Sequence, residues 1–174
     1  MKDWQEIVSR YSGLVWRTAY RLLGRHDEAA DCFQEAFLAA WEISRSQKVR
    51  HWPALMARLA TRRALDRLRR RLRQAEQFRE MPDWSAVPAR DPSPTDQLAY
   101  ADLSDRLRGA LGQLPHQQAE VFCLRCLDDL SYRDIARQLD LKVSAVSVLL
   151  YRARGRLREL LQHSARDERA EVEP

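Results

Sequence analysis

Apolar residues recur at steps of three and four over most of the chain, which is the spacing of one face of an α-helix. The clearest stripe runs from Trp4 to Leu23, and Gly24 follows it in the position of a helix C-cap. A second stripe follows to about Glu42, with Asp27 as its predicted N-cap. A third opens at Pro53, a residue that fits the first helical positions. The pattern therefore predicts an all-α fold.

The periodicity stops between Gln74 and Pro94, where four prolines and several acidic residues occur together. Such a composition is typical of a linker between folded units. Beyond it, helical spacing resumes and predicts that Leu98, Leu103 and Leu107 face inward. We therefore predict two small helical domains joined by a flexible linker. Their boundaries are residues 1–73, a linker 74–94, residues 95–163, and a charged, frayed tail 164–174.

The segment Leu130–Leu161 has the pattern of two helices joined by a tight turn. Ser131 is placed to cap the first helix, and Asp140 falls at the turn, where a left-handed backbone is needed. The second helix begins near Val143 and carries small residues in its first turns and arginines further along, as suits a helix that enters a DNA major groove. The pattern predicts a helix-turn-helix, with an ordinary helical hairpin as the alternative.

The positive charge of the chain is concentrated in one helix. The 174 residues carry a formal net charge of +5, and the segment from Arg62 to Arg73 contains seven arginines and a single acidic residue, Asp66. This density is typical of a nucleic-acid-binding surface. The alternative, a helix lying on a membrane surface, lacks the bulky aromatic residues typical of insertion.

Composition also bears on compartment and chemistry. The chain has no apolar run of membrane-spanning length and no signal-peptide pattern at its start, so we expect a cytoplasmic protein without membrane insertion. Its odd number of cysteines fits a reducing compartment. Cys123 and Cys126 form one CxxC near His116, but no second ligand pair completes a zinc site, so these two cysteines are predicted to be buried free thiols on an apolar face.

The sequence carries no recognisable catalytic motif. Its four histidines are scattered, its five glycines form no phosphate-binding loop, and no nucleophile elbow or pair of metal-binding carboxylates occurs. We expect neither an enzyme nor a cofactor.

Four stretches, taken in order, resemble the two-domain sigma factors of bacterial RNA polymerase known as the extracytoplasmic-function (ECF) group. They are DCFQEAFLAAW, ARLATRRALDRLRRR, ALGQLPHQQAEVFCLR and LSYRDIARQLDLKVSAVSVLLYRARGRLREL. The resemblance covers almost the whole chain in the order and spacing of the family. It implies that core RNA polymerase, promoter DNA and an anti-sigma factor are the partners.

The resemblance also implies roles for particular residues. The N-terminal domain is expected to bind polymerase and to melt the −10 promoter element, and the C-terminal domain to read the −35 element as duplex. The loop SRSQKVRHW falls where the family captures an unstacked base, for which Trp52 offers a stacking surface. The expected polymerase contacts are Asp31, Gln34 and Glu35. The expected −10 contacts are Trp52, Arg58, Arg62, Arg63, Asp66, Arg67, Arg69 and Arg70. The expected −35 contacts are Ser144, Ala145, Ser147, Val148, Arg152 and Arg154.

The chain departs from the family pattern at several of these positions. Arg62 stands where these factors commonly carry Asn, and Leu55 where they often carry Trp. Ser147 and Leu149 replace frequent Lys or Arg, and Asp140 replaces the usual turn Gly. With fewer cations in the recognition helix, we expect weak DNA affinity of the isolated C-terminal domain and a steep salt dependence within the polymerase complex.

Two other functions stay open, and the departures favour the second of them. The chain could act as a stand-alone helix-turn-helix regulator that binds a palindromic operator as a dimer. It could also be a sigma-like interaction protein that binds polymerase without initiating transcription. The predicted linker, likewise, is either an acidic mimic of nucleic acid within polymerase or a passive tether.

Overall fold

The computed structural model describes residues 4–79 and 95–172, and within these ranges the chain is helical and contains no strand. This confirms the all-α prediction. Most of the predicted linker, residues 80–94, lies outside the described residues. The helices are α1 (Trp4–Leu23), α2 (His26–Ser46), α3 (Trp52–Arg79), α4 (Thr95–Gln113), α5 (His116–Cys126), α6 (Tyr132–Leu139) and α7 (Val143–Val172).

Local chemistry sets several of the helix ends. Gly24 adopts a left-handed backbone with φ 71°, and its amide donates to the Tyr20 carbonyl at 2.8 Å, which closes α1 as predicted. The prediction of Asp27 as the cap of α2 was wrong. The helix already begins at His26, with the extended Arg25 as N-cap and no side-chain cap bond. Because α2 starts directly after the Gly24 turn, Asp27 lies in its first turn, where the helix dipole favours a carboxylate.

Two helices run further than the sequence pattern predicted. α3 continues past Arg73 to Arg79, so the start of the predicted linker is helical. α7 extends to Val172 through the tail that was predicted to fray. In both segments the residues are good helix formers without an internal Gly or Pro, so an existing helix propagates through them without needing an apolar stripe.

Three clusters of buried side chains hold the helices together. One lies among α1, α2 and α3 and includes Val15, Phe37 and Met56. A second packs α5, α6 and α7 through Leu124, Ile135 and other aliphatic residues, and Ala57 of α3 reaches into it.

The third cluster joins the two halves of the chain. It combines residues of α1, α2 and α3 with residues of α4, α5 and α7, all of them almost completely buried. Examples are Leu22 and Leu65 on one side and Leu111 and Cys123 on the other. The N-terminal unit (α1–α3) and the C-terminal unit (α4–α7) therefore pack directly on each other.

Some predicted core positions are not buried. Leu103 was predicted to face inward on α4 but is 53% exposed, so that prediction was wrong. Leu107 is half-buried, and the side chain of Leu98 lies outside the described residues. The packed face of α4 begins near Ala110, because only its C-terminal half reaches the core shared with α3.

Candidate nucleic-acid and protein interfaces

The outward face of α2 carries the residues expected to contact polymerase. Asp31 is 63% exposed and Glu35 is 43% exposed, and Gln34 is exposed between them. They share one face because helix positions three and four apart lie above each other. The structure thus places all three on one polar surface.

Arg67 of α3 binds two of these acids across the α2–α3 packing. Its Nη2 donates to Glu35 Oε1 at 2.5 Å, and its Nη1 lies 3.3 Å from Asp31 Oδ2. Partial burial lowers the pKa of Arg67, but the hydrogen bond and charge of Glu35 outweigh it and leave the pKa above its ordinary value. Arg67 is therefore engaged within the protein, although the sequence grouped it with the −10 contacts.

The remaining residues of the predicted −10 set fall into two groups. Arg62, Arg63 and Arg70 are exposed. Arg58, Asp66 and Arg69 are half-buried and turn toward the C-terminal unit. Arg69 Nη2 donates to the Leu114 carbonyl at 3.0 Å, and burial lowers the pKa of Arg69. The predicted −10 set thus splits into three solvated arginines and a group of residues that faces protein.

The loop between α2 and α3 forms one side of an aromatic pocket of about 1070 Å³. The Trp4 ring lies 4.9 Å from that of Trp41 and 6.4 Å from that of Trp52, in edge-to-face geometry. Arg45, Lys48 and Arg50 line the same pocket. An aromatic floor with a cationic rim is the arrangement that binds an unstacked base and its phosphate.

Two of these aromatic residues were missed as site residues from the sequence. Trp4 lies almost fifty positions from Trp52, and Trp41 lies on α2, where it is 40% exposed. Trp41 and Leu38, which is 63% exposed, also line an apolar groove beside Gln34. The polar polymerase-facing surface of α2 therefore continues into an apolar one.

The helix-turn-helix forms as predicted. Ser131 Oγ accepts from the Asp134 amide at 3.1 Å, and Asp140 takes the left-handed conformation with φ 53° and ψ 50°. Val146 and Leu150 of α7 are buried against α5 and α6. These contacts fix which face of α7 is left to solvent.

That outward face of α7 carries the predicted −35 residues. Ser144, Ser147, Val148, Arg152 and Arg154 are exposed, and Ala145 is half-buried. Ser147 Oγ donates to the Ser144 carbonyl at 2.8 Å, so its hydroxyl proton is used within the helix.

Two further features of α7 refine this surface. Tyr151 is 81% exposed, the most exposed of the large apolar residues described, yet the sequence list of −35 contacts omitted it. Arg154 Nη2 lies 3.8 Å from Cys126 Sγ of α5, which turns that guanidinium toward the C-terminal unit itself.

The three cysteines differ in burial: Cys32 and Cys123 are buried and Cys126 is exposed. Burial raises the pKa of the Cys32 thiol to about 12 and that of Cys123 further still. Cys126 is exposed, so the prediction that it is buried was wrong. Within residues 4–79 and 95–172, no group of histidine, cysteine and acidic side chains is arranged to hold a metal ion, and no helix is long and apolar enough to cross a membrane.

Comparison with known proteins finds the same family in both halves of the chain. Residues 7–74 match the family described as Sigma-70 region 2, and residues 104–157 match Sigma-70, region 4. The chain is 32% identical over 167 residues to the ECF RNA polymerase sigma factor SigE of Mycolicibacterium smegmatis, covering 95% of this chain and 64% of that protein. It is 28% identical over 164 residues to SigW of Bacillus subtilis, covering 90% and 88% of the two chains.

Solved structures show the same fold. The sigma factor RpoE in complex with the anti-sigma factor NepR from Bartonella quintana aligns with a TM-score of 0.57 at 24% identity, over 93% of this chain and 98% of that one. CnrH in complex with the cytosolic domain of CnrY aligns with a TM-score of 0.58 at 22% identity, over 92% and 88%.

Proposed function

The chain belongs to the ECF group of the sigma-70 family, and from this membership we propose that it binds bacterial core RNA polymerase and directs promoter-specific initiation. Such a protein acts where polymerase is, in the bacterial cytoplasm. It is a transcription initiation factor and not an enzyme, since polymerase carries out the chemistry. The domain predicted over residues 1–73 would bind polymerase and the −10 element, and the domain predicted over residues 95–163 would bind the −35 duplex.

The observation that carries the proposal is that the N-terminal unit combines a row of solvated arginines on α3 with an aromatic pocket. Arg62, Arg63 and Arg70 supply phosphate contacts along a strand. The Trp4, Trp41 and Trp52 rings supply the surface on which an extruded base stacks. A regulator that only reads duplex DNA needs the helix-turn-helix but has no use for such a pocket.

The half-buried members of the −10 set take a supporting role in this proposal. Arg67 positions α2 against α3 through Asp31 and Glu35, and in doing so orients the acids of the polymerase-binding face. Arg58, Asp66 and Arg69 face the C-terminal unit and reach DNA only when that unit moves away.

Polymerase binding is assigned to the exposed face of α2. Asp31, Gln34 and Glu35 form its polar part, and Leu38 and Trp41 extend it as an apolar part. A partner surface that combines basic and apolar side chains fits this face.

The −35 element is assigned to the exposed face of α7. Small and apolar side chains, including Ala145, Val148 and Tyr151, suit contact with thymine methyl groups. Arg152 lies one helical turn beyond Val148, where it can contact phosphates. The Ser147 hydroxyl is already committed to the helix backbone, so it contributes less to base reading than the sequence indicated.

An anti-sigma factor is also proposed as a partner. In the solved structures, RpoE is bound to the anti-sigma factor NepR and CnrH to the cytosolic domain of CnrY. Such a partner would block α2, α3 or α7 from polymerase or DNA.

Binding to core polymerase tests the first step of this function. Wild-type protein is expected to co-elute with bacterial core polymerase in gel filtration, and Gln34→Ala to weaken the complex. Gln117→Ala, the same substitution at an exposed position of α5 away from that face, is the matched control and should leave the complex intact. Failure of the wild type to bind any bacterial core polymerase would contradict the proposal.

A further inference from the structure

The loop between α2 and α3 is held by hydrogen bonds at both of its ends. At its start, the Gln47 amide donates to the Ile43 carbonyl at 2.9 Å, which closes α2. At its end, the His51 carbonyl accepts from the Leu55 amide at 3.2 Å, and His51 Nδ1 accepts from the Ala54 amide at 3.3 Å. His51 is therefore the N-cap of α3, and its imidazole supplies the side-chain cap.

The cap bond satisfies an amide that the helix itself cannot satisfy. The first amides of a helix have no acceptor within the helix, and here Pro53 removes one of these donors. Ala54 is completely buried, so water does not readily replace the imidazole. Loss of the bond would leave the Ala54 amide without a partner and would loosen the first turn of α3.

This first turn and the loop before it form one wall of the aromatic pocket. Arg50 and Trp52, the two neighbours of His51 in the chain, line the pocket, as do Gln47 and Lys48, whereas His51 itself does not. His51 therefore acts on the pocket indirectly, by fixing the backbone that carries the Trp52 side chain. Of the two ends of the loop, only the end at His51 is held by a group that titrates near neutral pH.

The imidazole can cap α3 only in its neutral form. Because Nδ1 accepts a hydrogen bond, the neutral ring carries its proton on Nε2. A second proton, added at Nδ1, turns the acceptor into a donor that opposes the Ala54 N–H. His51 is exposed, so protons reach the ring from solvent, and histidine ordinarily changes its charge between about pH 5 and 8. The cap should therefore be lost as the pH falls through the titration of His51.

The positive charge of a protonated His51 would also be unfavourable at this place. The charged side chains in the last turn of α2 and in the loop are Arg45, Lys48 and Arg50, all of them basic. Within the described part of the chain, the residues of α1 that line the pocket are uncharged, and the first turn of α3 has no acidic residue. The helix dipole disfavours a cation at a helix N-terminus. None of these groups retains a protonated imidazole in the capping position.

From this geometry we propose that His51 is a pH-dependent positioning residue of the base pocket. The neutral imidazole caps α3 and holds Trp52 and the loop in the arrangement that binds an unstacked base, and protonation releases them. The inference rests on the proposed base-binding role of the pocket and adds its control by pH. Base capture, and with it melting of the −10 element, weakens as the pH falls below neutral.

Two strands of equal length test the proposal on the full chain: oligo(dT) labelled with tetramethylrhodamine, and the same labelled strand made of abasic nucleotides. Because both strands carry the same phosphates, the ratio of their affinities at low salt reports binding of the bases. Fluorescence anisotropy gives this ratio at about pH 8 and about pH 5.5, on either side of the ordinary histidine titration. His51→Asn is the conservative variant, since Asn caps helices well and does not titrate, and His51→Ala removes the cap. Circular dichroism checks that each variant is folded.

The wild type should prefer oligo(dT) at the higher pH and lose about fivefold of that preference at the lower pH, as expected for the loss of one N-cap. His51→Asn should keep the preference at both pH values, and His51→Ala should show the weaker preference at both. The other histidines of the chain titrate in every variant, so they cannot cause a difference between them. The amide resonance of Ala54 should shift with the same titration in the wild type and stay constant in His51→Asn.

Several results would overturn the proposal. A wild-type preference that is the same at both pH values, or an equal loss of preference in His51→Asn, would do so. A preference that rises as the pH falls would show that protonated His51 contacts the strand itself. Equal affinity for the two strands at every pH would refute the proposed base pocket together with this inference, whereas failure of the inference alone would leave the preference at the higher pH intact.

Discussion

Arg67 Nη2 of α3 donates to Glu35 Oε1 of α2 at 2.5 Å, which joins a residue of the proposed DNA-binding helix to one of the proposed polymerase-binding face. The same guanidinium reaches Asp31. A cation used in this way supports the geometry of two surfaces and is not free to contact phosphate. The neighbouring Arg63, by contrast, is exposed.

Arg67 and Arg63 should therefore respond differently to truncation. Arg67→Ala removes ion pairs between half-exposed groups and should lower the free energy of unfolding by about 1 kcal/mol, whereas Arg63→Ala should change it by less than about 0.5 kcal/mol. Arg63→Ala should weaken oligo(dT) binding more than Arg67→Ala does. Urea unfolding and fluorescence anisotropy measure the two effects, and a reversed order in DNA binding would show that Arg67 contacts the strand.

The closed packing of the two units on each other should depend on pH. Burial raises the pKa of Asp128 and that of Glu120 above their ordinary values, so the closed packing holds protons that separated units would release. The packing is then favoured fully below the ordinary pKa values and is weakened as the pH rises through the raised ones. The radius of gyration should increase from acid toward neutral pH. The charged, titratable and hydrogen-bonding groups that act on these carboxyls are Arg17, Thr18 and Arg21 of α1, Arg58, Thr61, Arg62, Asp66 and Arg69 of α3, and His116 and Cys123 of α5.

The double variant Asp128→Asn/Glu120→Gln is the control for this pH dependence. It should remain closed and lose most of the change in radius over the same range. Expansion of the wild type as the pH falls, while helix content is retained, would reverse the sign and contradict the assignment.

Two glycines of α4 give a matched test of how closely α3 and α4 approach. A Cβ on Gly112 meets Leu72, whereas one on Gly109 meets nothing within 4 Å. Both alanine variants gain helix propensity of about 1 kcal/mol. Gly109→Ala should therefore raise the thermal midpoint of unfolding. Gly112→Ala should have a lower midpoint than Gly109→Ala, measured by calorimetry, because Leu72 must shift. Equal thermal midpoints for the two variants would show that Leu72 shifts without loss of stability.

Tyr151 should be a reading residue of α7 and not a core residue. It is 81% exposed, so Tyr151→Ala should leave the unfolding free energy within about 0.5 kcal/mol of wild type. The loss of a direct base contact should weaken duplex −35 binding by about 1–3 kcal/mol. Leu157→Ala, at a buried position on the same helix, should instead cost about 2–5 kcal/mol of stability. Binding is best measured in the polymerase complex, where titration with salt should show a steep loss of affinity.

The sequence predicted the local features well because each depends on a few neighbouring residues. Ser131 as a cap and Asp140 as a left-handed turn follow from side-chain chemistry within one turn of helix. The buried stripe of α7 follows from its periodicity. Such features need no knowledge of which helix packs on which.

The features that the sequence missed depend on contacts between distant segments. Periodicity placed Leu103 inside, but it cannot show that α4 meets the core only over its second half. The arginine-rich segment looks uniform in sequence, but in the structure Arg67 binds acids of α2 and Arg69 binds the turn between α4 and α5. The distance between Trp4 and Trp52 along the sequence also does not show that the fold places both side chains in the same pocket.

Run-off transcription tests the central claim most directly. Bacterial core polymerase, a promoter library and the wild-type protein should give discrete transcripts that core polymerase alone does not produce. Trp52→Ala and the pair Arg63→Ala/Arg70→Ala should abolish them while still binding core. Transcripts from no promoter in the library, despite a stable complex of the wild type with core polymerase, would contradict initiation and identify the chain as a sigma-like interaction protein.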